Sequence, residues 1–192
     1  MKFVKKLSLS LFIIVLVHIF FFEDYYLFAQ NSSSSDSYKF WISVGLGPVG
    51  GDNILFGGVL GLSFSKGVNL ISIRAINFAE ISRREPCRDG SSEKLKKATD
   101  ISFLYGVNKN CKWSFASVAI GLSTIRGTQK KQYSNPNRST YKNFSTIGIP
   151  IETQLFLKLL PGMGIGIYGF LNINNKSSFG GIFLSLQYGK LR

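Results

Sequence analysis

Histidine and cysteine are nearly absent from this sequence. The single histidine, His18, lies in an apolar N-terminal run, so the remaining residues cannot build a histidine-based triad or a histidine metal site. The two cysteines, Cys87 and Cys111, are too few for a zinc cluster. The topology predicted below places them at opposite ends, so we expect no disulfide. No strand-to-helix P-loop is present. The sequence therefore predicts no catalytic residue, no metal site and no cofactor.

Charge is also scarce. Charged residues make up 17% of the 192 residues, against about a quarter in a typical soluble domain, while 45% are hydrophobic. That much apolar surface argues against disorder. The 20 glycines and 17 phenylalanines, without long helical periodicity, favour an all-β barrel or sandwich. The length fits one domain.

The N-terminus has the pattern of an export signal. Lys2, Lys5 and Lys6 precede an apolar run over residues 7–22, and Ala29 follows it. We interpret residues 1–29 as a signal peptide cleaved near Ala29, residues 30–37 as a flexible polar leader, and residues 38–192 as the folded domain. An uncleaved signal anchor is the alternative. Because residues 1–29 hold three basic and two acidic residues, the exported part would keep +12 of the net charge of +13. Such a charge suits anionic lipid headgroups or polyanionic glycans.

Beyond the leader, large apolar residues alternate with small or polar ones. A period of two is typical of β-strands, because successive side chains point to opposite faces. In residues 164–174, for example, Ile165 and Ile167 share one face, and Gly166 and Tyr168 share the other. Eight segments of this kind are predicted to be strands: residues 40–47, 56–65, 68–78, 99–107, 113–125, 144–158, 164–174 and 180–189.

The connections between these segments alternate in length. Residues 79–98 and 126–143 are polar and are predicted to be long loops on the outer side. The turns on the other side, at residues 65–67, 108–112 and 159–163, are predicted to be short. An even number of strands of about ten residues with long loops on one side is typical of outer-membrane barrels. The predicted fold is an all-β, eight-stranded antiparallel up-and-down (meander) transmembrane β-barrel.

The two faces of the strands predict which one meets lipid. Gly, Ser and Ala dominate the face opposite the large apolar residues, and they would fill a narrow lumen better than they would cover a water-exposed surface. We therefore expect the apolar face to point outward to lipid. The alternative is an exported soluble, lipocalin-like barrel that encloses a hydrophobic ligand. Pro150 is expected to require a bulge at residues 148–150, because proline removes a ladder hydrogen bond.

Four polar residues fall on the inward face near strand centres: Arg74, Glu152, Gln154 and Gln187. Charges inside a narrow lumen need partners, since desolvation otherwise costs several kcal/mol. We predict that these residues form an interior polar network with a structural role, with a proton or ion path as the alternative.

Aromatic residues cluster near the predicted strand ends. Interfacial girdles would place them there, and ordinary packing in the barrel explains them about equally well. The residues are Tyr38, Trp41, Phe64, Phe78, Trp113, Phe144, Phe179 and Tyr188.

The cations of the two predicted long loops form the main functional hint. Arginine presents a planar fork suited to phosphate and carboxylate, so these loops are candidate anion-binding sites. Ordinary solvated loop charges are the alternative. The residues are Arg83, Arg84, Arg88, Lys94, Lys96 and Lys97 in the first loop and Arg126, Lys130, Lys131 and Arg138 in the second.

Four stretches carry a resemblance to a known class. They are residues 28–30 (FAQ), 146–154 (TIGIPIETQ), 164–174 (GIGIYGFLNIN) and 180–192 (GGIFLSLQYGKLR). They resemble small eight-stranded outer-membrane β-barrel proteins of Gram-negative bacteria, in particular a poorly characterised Bacteroidota-like type. The resemblance implies a location in the cell outer membrane and insertion by the outer-membrane assembly machinery. It brings no established catalytic residues.

These observations predict an integral outer-membrane barrel with a structural, adhesive or surface-binding role through basic extracellular loops. We expect contact with outer-membrane lipid and with lipopolysaccharide, no nucleic-acid partner and a monomeric state. Two alternatives stay open: the lipocalin-like barrel described above, and a lipid-modifying outer-membrane barrel enzyme.

Overall fold

The computed structural model is a closed sheet of eight antiparallel strands, in which each strand pairs with the next and the last pairs with the first. It describes residues 38–50, 54–80, 93–111, 113–132 and 139–190, so the predicted signal peptide and leader lie outside the described residues. Within these ranges no helix is long and apolar enough to cross a membrane. The predicted fold is confirmed. The strands are β1 (Tyr38–Gly50), β2 (Ile54–Lys66), β3 (Asn69–Glu80), β4 (Glu93–Asn110), β5 (Ser114–Gln132), β6 (Ser139–Leu160), β7 (Met163–Asn174) and β8 (Phe179–Lys190).

The large apolar face of the strands points outward, as predicted. Leu122, Ile147 and Leu184 are 66%, 72% and 66% exposed, whereas Arg74 on the opposite parity is only 1% exposed. The alternation is clear in β1, where each residue from Trp41 to Gly50 switches between buried and exposed. A lipocalin-like barrel would need its large apolar side chains to point inward around a ligand. Here Ile167, Ile182 and Leu184 are exposed on the outside and do not enclose a cavity, which is the reverse arrangement.

Three strands are much longer than the sequence predicted. β4, β5 and β6 have 18, 19 and 22 residues, against 12 or 13 in the other five. They continue as a three-stranded extension beyond the point where β3 stops pairing at Ala79 and β7 stops at Asn174. The prediction of loops over residues 79–98 and 126–143 is therefore wrong at residues 79–80, 93–98, 126–132 and 139–143, which lie in strands; the remainder of both segments lies outside the described residues. Polar side chains do not prevent this pairing, because the ladder is made by backbone N–H and C=O groups.

The short turns lie at one end of the barrel. Gly67 in the β2–β3 turn has a φ of 58°, which glycine adopts without steric cost. The β7–β8 connection lies at the other end and is built around Asn174. The side-chain oxygen of Asn174 accepts from the backbone N–H groups of Lys176 and Ser177 at 3.0 and 2.9 Å. This connection falls in the gap between the predicted strands at residues 164–174 and 180–189.

Pro150 needs no bulge. β6 keeps the same register with β5 on either side of it, from Ile120↔Ile151 to Ser123↔Gly148, and only the intervening pairs are missing. On the other side Pro150 pairs regularly with Asn172 of β7. The expected bulge is therefore wrong: the missing N–H interrupts one ladder locally, and the sheet does not change register.

The aromatic residues near the strand ends divide between the two faces. Tyr38, Phe64, Trp113 and Tyr188 are exposed on the outside, where a girdle would place them. Trp41, Phe78 and Phe179 are buried in the lumen, and the partly buried Phe144 packs against a lumen cluster. For this second group the girdle interpretation is wrong, because parity decides the face a side chain occupies and nearness to a strand end does not.

The lumen is filled in layers. At the short-turn end Trp41, Leu70, Leu104, Phe115 and Phe156 form an apolar cluster with Ala119. A larger apolar cluster, which includes Phe170, Phe179 and Phe183, fills the loop end. Buried polar residues lie between and beside the two clusters.

Small residues let the wall curve around this narrow lumen. A Cβ built on Gly121 would lie 2.8 Å from Cα of Leu104, and one on Gly166 would lie 2.7 Å from Cα of Phe156. Real side chains do not approach a neighbouring backbone so closely, so these two positions in β5 and β7 accept only glycine in the present geometry.

The seam between β1 and β8 closes the barrel. Phe40 pairs with Lys190 and Gly50 pairs with Gly180, and the register is unchanged along the seam. The beginning of β1 and the end of β8 therefore lie side by side at the short-turn end.

Candidate functional site

A buried guanidinium occupies the centre of the lumen. Arg74 extends inward from β3 because it shares the parity of Ser72 and Ile76. Its Nη2 donates to Oδ2 of Asp100 at 3.0 Å and to Oγ of Ser102 at 2.8 Å. Its Nη1 lies 3.4 Å from Oε2 of Glu152. One cation therefore links β3 to carboxylates on β4 and β6.

Glu152 holds the second half of this network. Its carboxylate accepts hydrogen bonds from the Tyr168 phenol and from the Gln154 side-chain amide. Gln187 extends the chain of contacts, since its Nε2 donates to Oε1 of Gln154 at 3.0 Å. The structure thus brings together the four interior residues named from the sequence, Arg74, Glu152, Gln154 and Gln187, and joins β3, β6, β7 and β8 through them.

Asp100, the main partner of Arg74, was missed by the sequence reasoning. It is fully buried, and it also accepts from Ser102 at 2.9 Å and from the Asn172 amide at 2.9 Å. Asn172 in turn donates to Ser123 at 2.8 Å. The alternation in β4 could have predicted its inward direction, because Asp100 lies two residues before the inward-facing Ser102. Asp100 is, however, at the edge of the predicted strand.

The network places one guanidinium against two carboxylates, all of them buried. The face of the Phe170 ring lies 5.4 Å from the Arg74 Cζ. Within the described residues, Arg74 Nε and Gln187 Oε1 are buried without a hydrogen-bond partner. Buried ion pairs of this kind contribute little net stability as pairs, but losing one member is costly because a bare buried charge remains.

Lys158 is a further inward cation, at the short-turn end of β6. It is 5% exposed, and its Nζ donates to the backbone oxygen of Cys111 at 2.6 Å and to the Asn110 side chain. These contacts tie β6 to the β4–β5 turn.

The predicted basic loops divide into three groups. Lys96, Lys97 and Arg126 lie on β4 and β5, not in loops, and all three side chains are exposed. Lys94, Lys130 and Lys131 lie on the paired backbone of the same two strands. The loop assignment of these six residues is corrected accordingly. Arg83, Arg84, Arg88 and Arg138 lie outside the described residues.

The exposed cations of the extension are in different environments. Lys96 is engaged: its Nζ lies 4.6 Å from the centre of the Tyr141 ring and 3.3 Å from the Tyr141 hydroxyl. Lys97 and Arg126 instead border a groove of about 640 Å³ on the outer surface of β3–β6. The lining of this groove combines the two cations with hydroxyl and amide groups.

Comparison with solved structures identifies the fold. Neisserial surface protein A (NspA) matches with a TM-score of 0.54 at 9% identity, over 79% of this chain and 96% of that one. Ail, the attachment invasion locus protein of Yersinia pestis, matches with a TM-score of 0.51 at 11% identity, over 79% and 97%. The N-terminal β-barrel domain of Pseudomonas aeruginosa OprF matches with a TM-score of 0.51 at 9% identity, over 78% and 96%. No protein-family model and no curated protein matches the sequence. At these identities the likeness establishes the fold that this chain shares with small outer-membrane barrels.

Proposed function

We propose that this protein is an integral outer-membrane β-barrel with a structural and surface-binding role, which presents basic groups on the outside of the cell. The observation that carries the proposal is the outward apolar belt. All eight strands contribute to it, and side chains such as Leu122 and Leu184 stay about two-thirds exposed. Burying one Leu or Ile is worth about 1.5–3 kcal/mol, so leaving such a belt in water would forgo tens of kcal/mol. Lipid removes that cost, and the closed sheet leaves no strand edge inside the bilayer.

The filled lumen supports a structural role over transport. Two apolar clusters fill the lumen on either side of the polar network: one includes Tyr168, Phe170 and Phe183, and the other includes Trp41 and Phe156. An eight-stranded barrel has room only for its own side chains. The buried carboxylates are engaged by Arg74, Tyr168 and Asn172, so the proposal includes no catalysis.

The basic character of the extension supports the surface-binding part. Lys96, Lys97 and Arg126 lie on strands that continue beyond the apolar belt, which in the proposed orientation is the outer side of the cell. The proposed partners are anionic lipid and lipopolysaccharide at the membrane surface. We further propose that the assembly machinery inserts the chain and that it works as a monomer, because the closed sheet leaves no unpaired edge within the belt.

Membrane fractionation tests the location. The full chain, expressed in a Gram-negative host, should stay with the outer membrane through high-salt and alkaline carbonate washes and leave only with detergent. Unboiled samples should migrate differently from boiled ones on a gel, because the closed barrel resists unfolding. Depletion of the host assembly machinery should reduce the folded form. Release by carbonate without detergent would contradict the membrane assignment.

Electrical recording tests the structural reading of the lumen. The purified barrel in planar bilayers should show no steady conductance, because aromatic layers close both ends of the lumen. A double variant, Phe170→Ala with Phe183→Ala, should raise leakage first. Ion-selective currents from the unmodified barrel would instead support an ion path through Arg74 and Glu152.

A further inference from the structure

The outer wall of the barrel carries a polar groove directly beyond the apolar belt. It has a volume of about 640 Å³, within the range of small-ligand sites. It lies across β3, β4, β5 and β6, on the side of the belt from which the three-stranded extension rises. Its lining includes Asn77, Lys97, Thr99, Arg126, Thr128 and Ser145.

Strand register builds the polar row of this groove. Asn77 pairs with Thr99, Thr99 with Arg126, and Arg126 with Ser145, so four polar residues form one line across four strands. All of them are at least partly exposed on the outer face. Lys97 lies in the next row, opposite Thr128. Rows on the same face are about 7 Å apart along a strand, since each residue rises about 3.3 Å.

Two cations converge in this groove. Lys97 and Arg126 are diagonal neighbours on β4 and β5, a relation that places Cβ atoms about 7 Å apart. Among the described residues, no acidic residue lines the groove and no carboxylate pairs with either cation. Lys96, which contacts Tyr141, shows that a neighbouring cation can be satisfied locally. Within the part of the chain that the structure describes, the positive charge at Lys97 and Arg126 is thus available to an anion.

The wall beneath the groove is apolar. The next row toward the belt is Ala75, Ile101, Thr124 and Ile147, again in register across the four strands. Ile101 is 57% exposed and Ile147 is 72% exposed. The surface therefore changes within one row from hydroxyl, amide and cationic groups to a mostly apolar wall, in which Thr124 supplies the one hydroxyl. A ligand complementary to it is amphipathic, with an anionic head and hydrocarbon chains that lie along the strands.

We infer that this groove binds the phosphorylated headgroup of an outer-leaflet glycolipid. Arg126 and Lys97 contact its phosphate, Asn77, Thr99 and Ser145 contact its sugar hydroxyls, and its acyl chains cover Ile101 and Ile147. Arginine supplies two parallel donors to a phosphate and lysine adds a point charge, which suits this chemistry. The inference rests on the proposed function, because the wall below the groove faces lipid only if the belt is embedded.

Native mass spectrometry of the purified, folded full chain in detergent micelles tests the inference. The probes are a diphosphorylated lipid A and its dephosphorylated counterpart, titrated separately. The test variant is Lys97→Gln with Arg126→Gln. The matched control is Lys142→Gln with Lys176→Gln, which removes the same charge from exposed positions toward the same end of the barrel but outside the groove lining. Heat-dependent gel mobility checks that each variant is folded.

The unmodified barrel should bind the phosphorylated lipid at least about tenfold more tightly than the dephosphorylated form, since charge-assisted hydrogen bonds are lost with the phosphates. The groove variant should lose about that factor, and the control should retain affinity. Equal losses in both variants would overturn the inference, because total charge would then explain binding. Equally tight binding of inorganic phosphate would overturn it too, since the acyl chains would be irrelevant. Failure of the proposed function is separate: it would show as carbonate release of the chain, whatever the micelle titration gives.

Discussion

Replacing Arg74 with methionine tests the reasoning about the lumen most directly. Methionine keeps a long apolar stem but removes the guanidinium that lies 3.0 Å from Asp100 and 3.4 Å from Glu152. At an effective dielectric constant of about 20, the gross attraction to each carboxylate is about 5 kcal/mol. Most of it offsets the desolvation of the three charges. Removing one member of a buried pair typically costs about 3–5 kcal/mol, and this is the loss in unfolding free energy that we expect.

A second variant tests whether uncompensated charge causes this loss of stability. In Arg74→Met the two carboxylates stay buried without their cation. Adding Asp100→Asn and Glu152→Gln removes those charges while keeping similar shapes. Neutral replacement of a buried ion pair is often nearly neutral in stability. The triple variant should therefore recover to within about 1–2 kcal/mol of the unmodified barrel, although it contains two more substitutions than the single variant.

Urea titration of the barrel folded in lipid vesicles measures both variants. Tryptophan emission reports unfolding because Trp41 is buried against Phe115, with ring centres 4.8 Å apart. Heat-dependent gel mobility gives an independent second signal. A loss below about 1 kcal/mol in Arg74→Met would show that the ion pairs are not the stabilising element that burial implies. A triple variant as unstable as the single one would show that packing, and not uncompensated charge, is the cause.

Three further outcomes use the same titration. Leu184→Arg, at a 66% exposed position in the middle of β8, should cost about 2–4 kcal/mol in vesicles, and a negligible cost would argue against lipid contact there. Gly121→Val should lower the unfolding free energy by about 1–3 kcal/mol, because its Cβ would lie 2.8 Å from Cα of Leu104. Unchanged stability would show that the barrel wall can relax around the larger side chain. Tyr168→Phe should cost about 1–3 kcal/mol, since Glu152 loses a buried donor while the ring is kept; no change would mean that the remaining donors suffice.

Parity predicted most of the fold. The alternation in each segment fixed which residues face outward, and the eight strands and their up-and-down order follow from it. The same parity predicts that Arg74, Glu152, Gln154 and Gln187 share one lumen. Side-chain direction in a strand is a local property, so a local pattern is enough to predict it.

What the pattern missed is non-local. The extension of β4–β6 is mostly polar, with few apolar residues such as Leu95, so its composition resembles that of a loop. Only pairing between strands, as in Lys97 opposite Thr128, reveals it. Asp100 stayed hidden because it lies at the edge of a predicted strand. Trp41 and Phe78 were ambiguous because an aromatic residue near a strand end suits a lipid interface and a lumen equally well. The groove depends on register across four strands, which no single segment encodes.

Because β1 and β8 pair as neighbouring strands do elsewhere in the barrel, the same architecture could be built from a chain that begins at a different strand. The barrel is closed by eight strand pairings. Seven of them join strands that are consecutive along the chain, whereas the eighth joins β1 to β8 and pairs Phe40 with Lys190. Because these two residues are adjacent, a short linker could join them, and the ring could be opened at the β2–β3 turn beside Gly67 instead. Such a circular permutant would keep all eight strand pairings and lose only the β2–β3 turn. β2 and β3 would then be the paired strands farthest apart in sequence, so the least local and slowest pairing step would move to them. The order in which the strand pairs form during folding could thus be changed without changing the final structure.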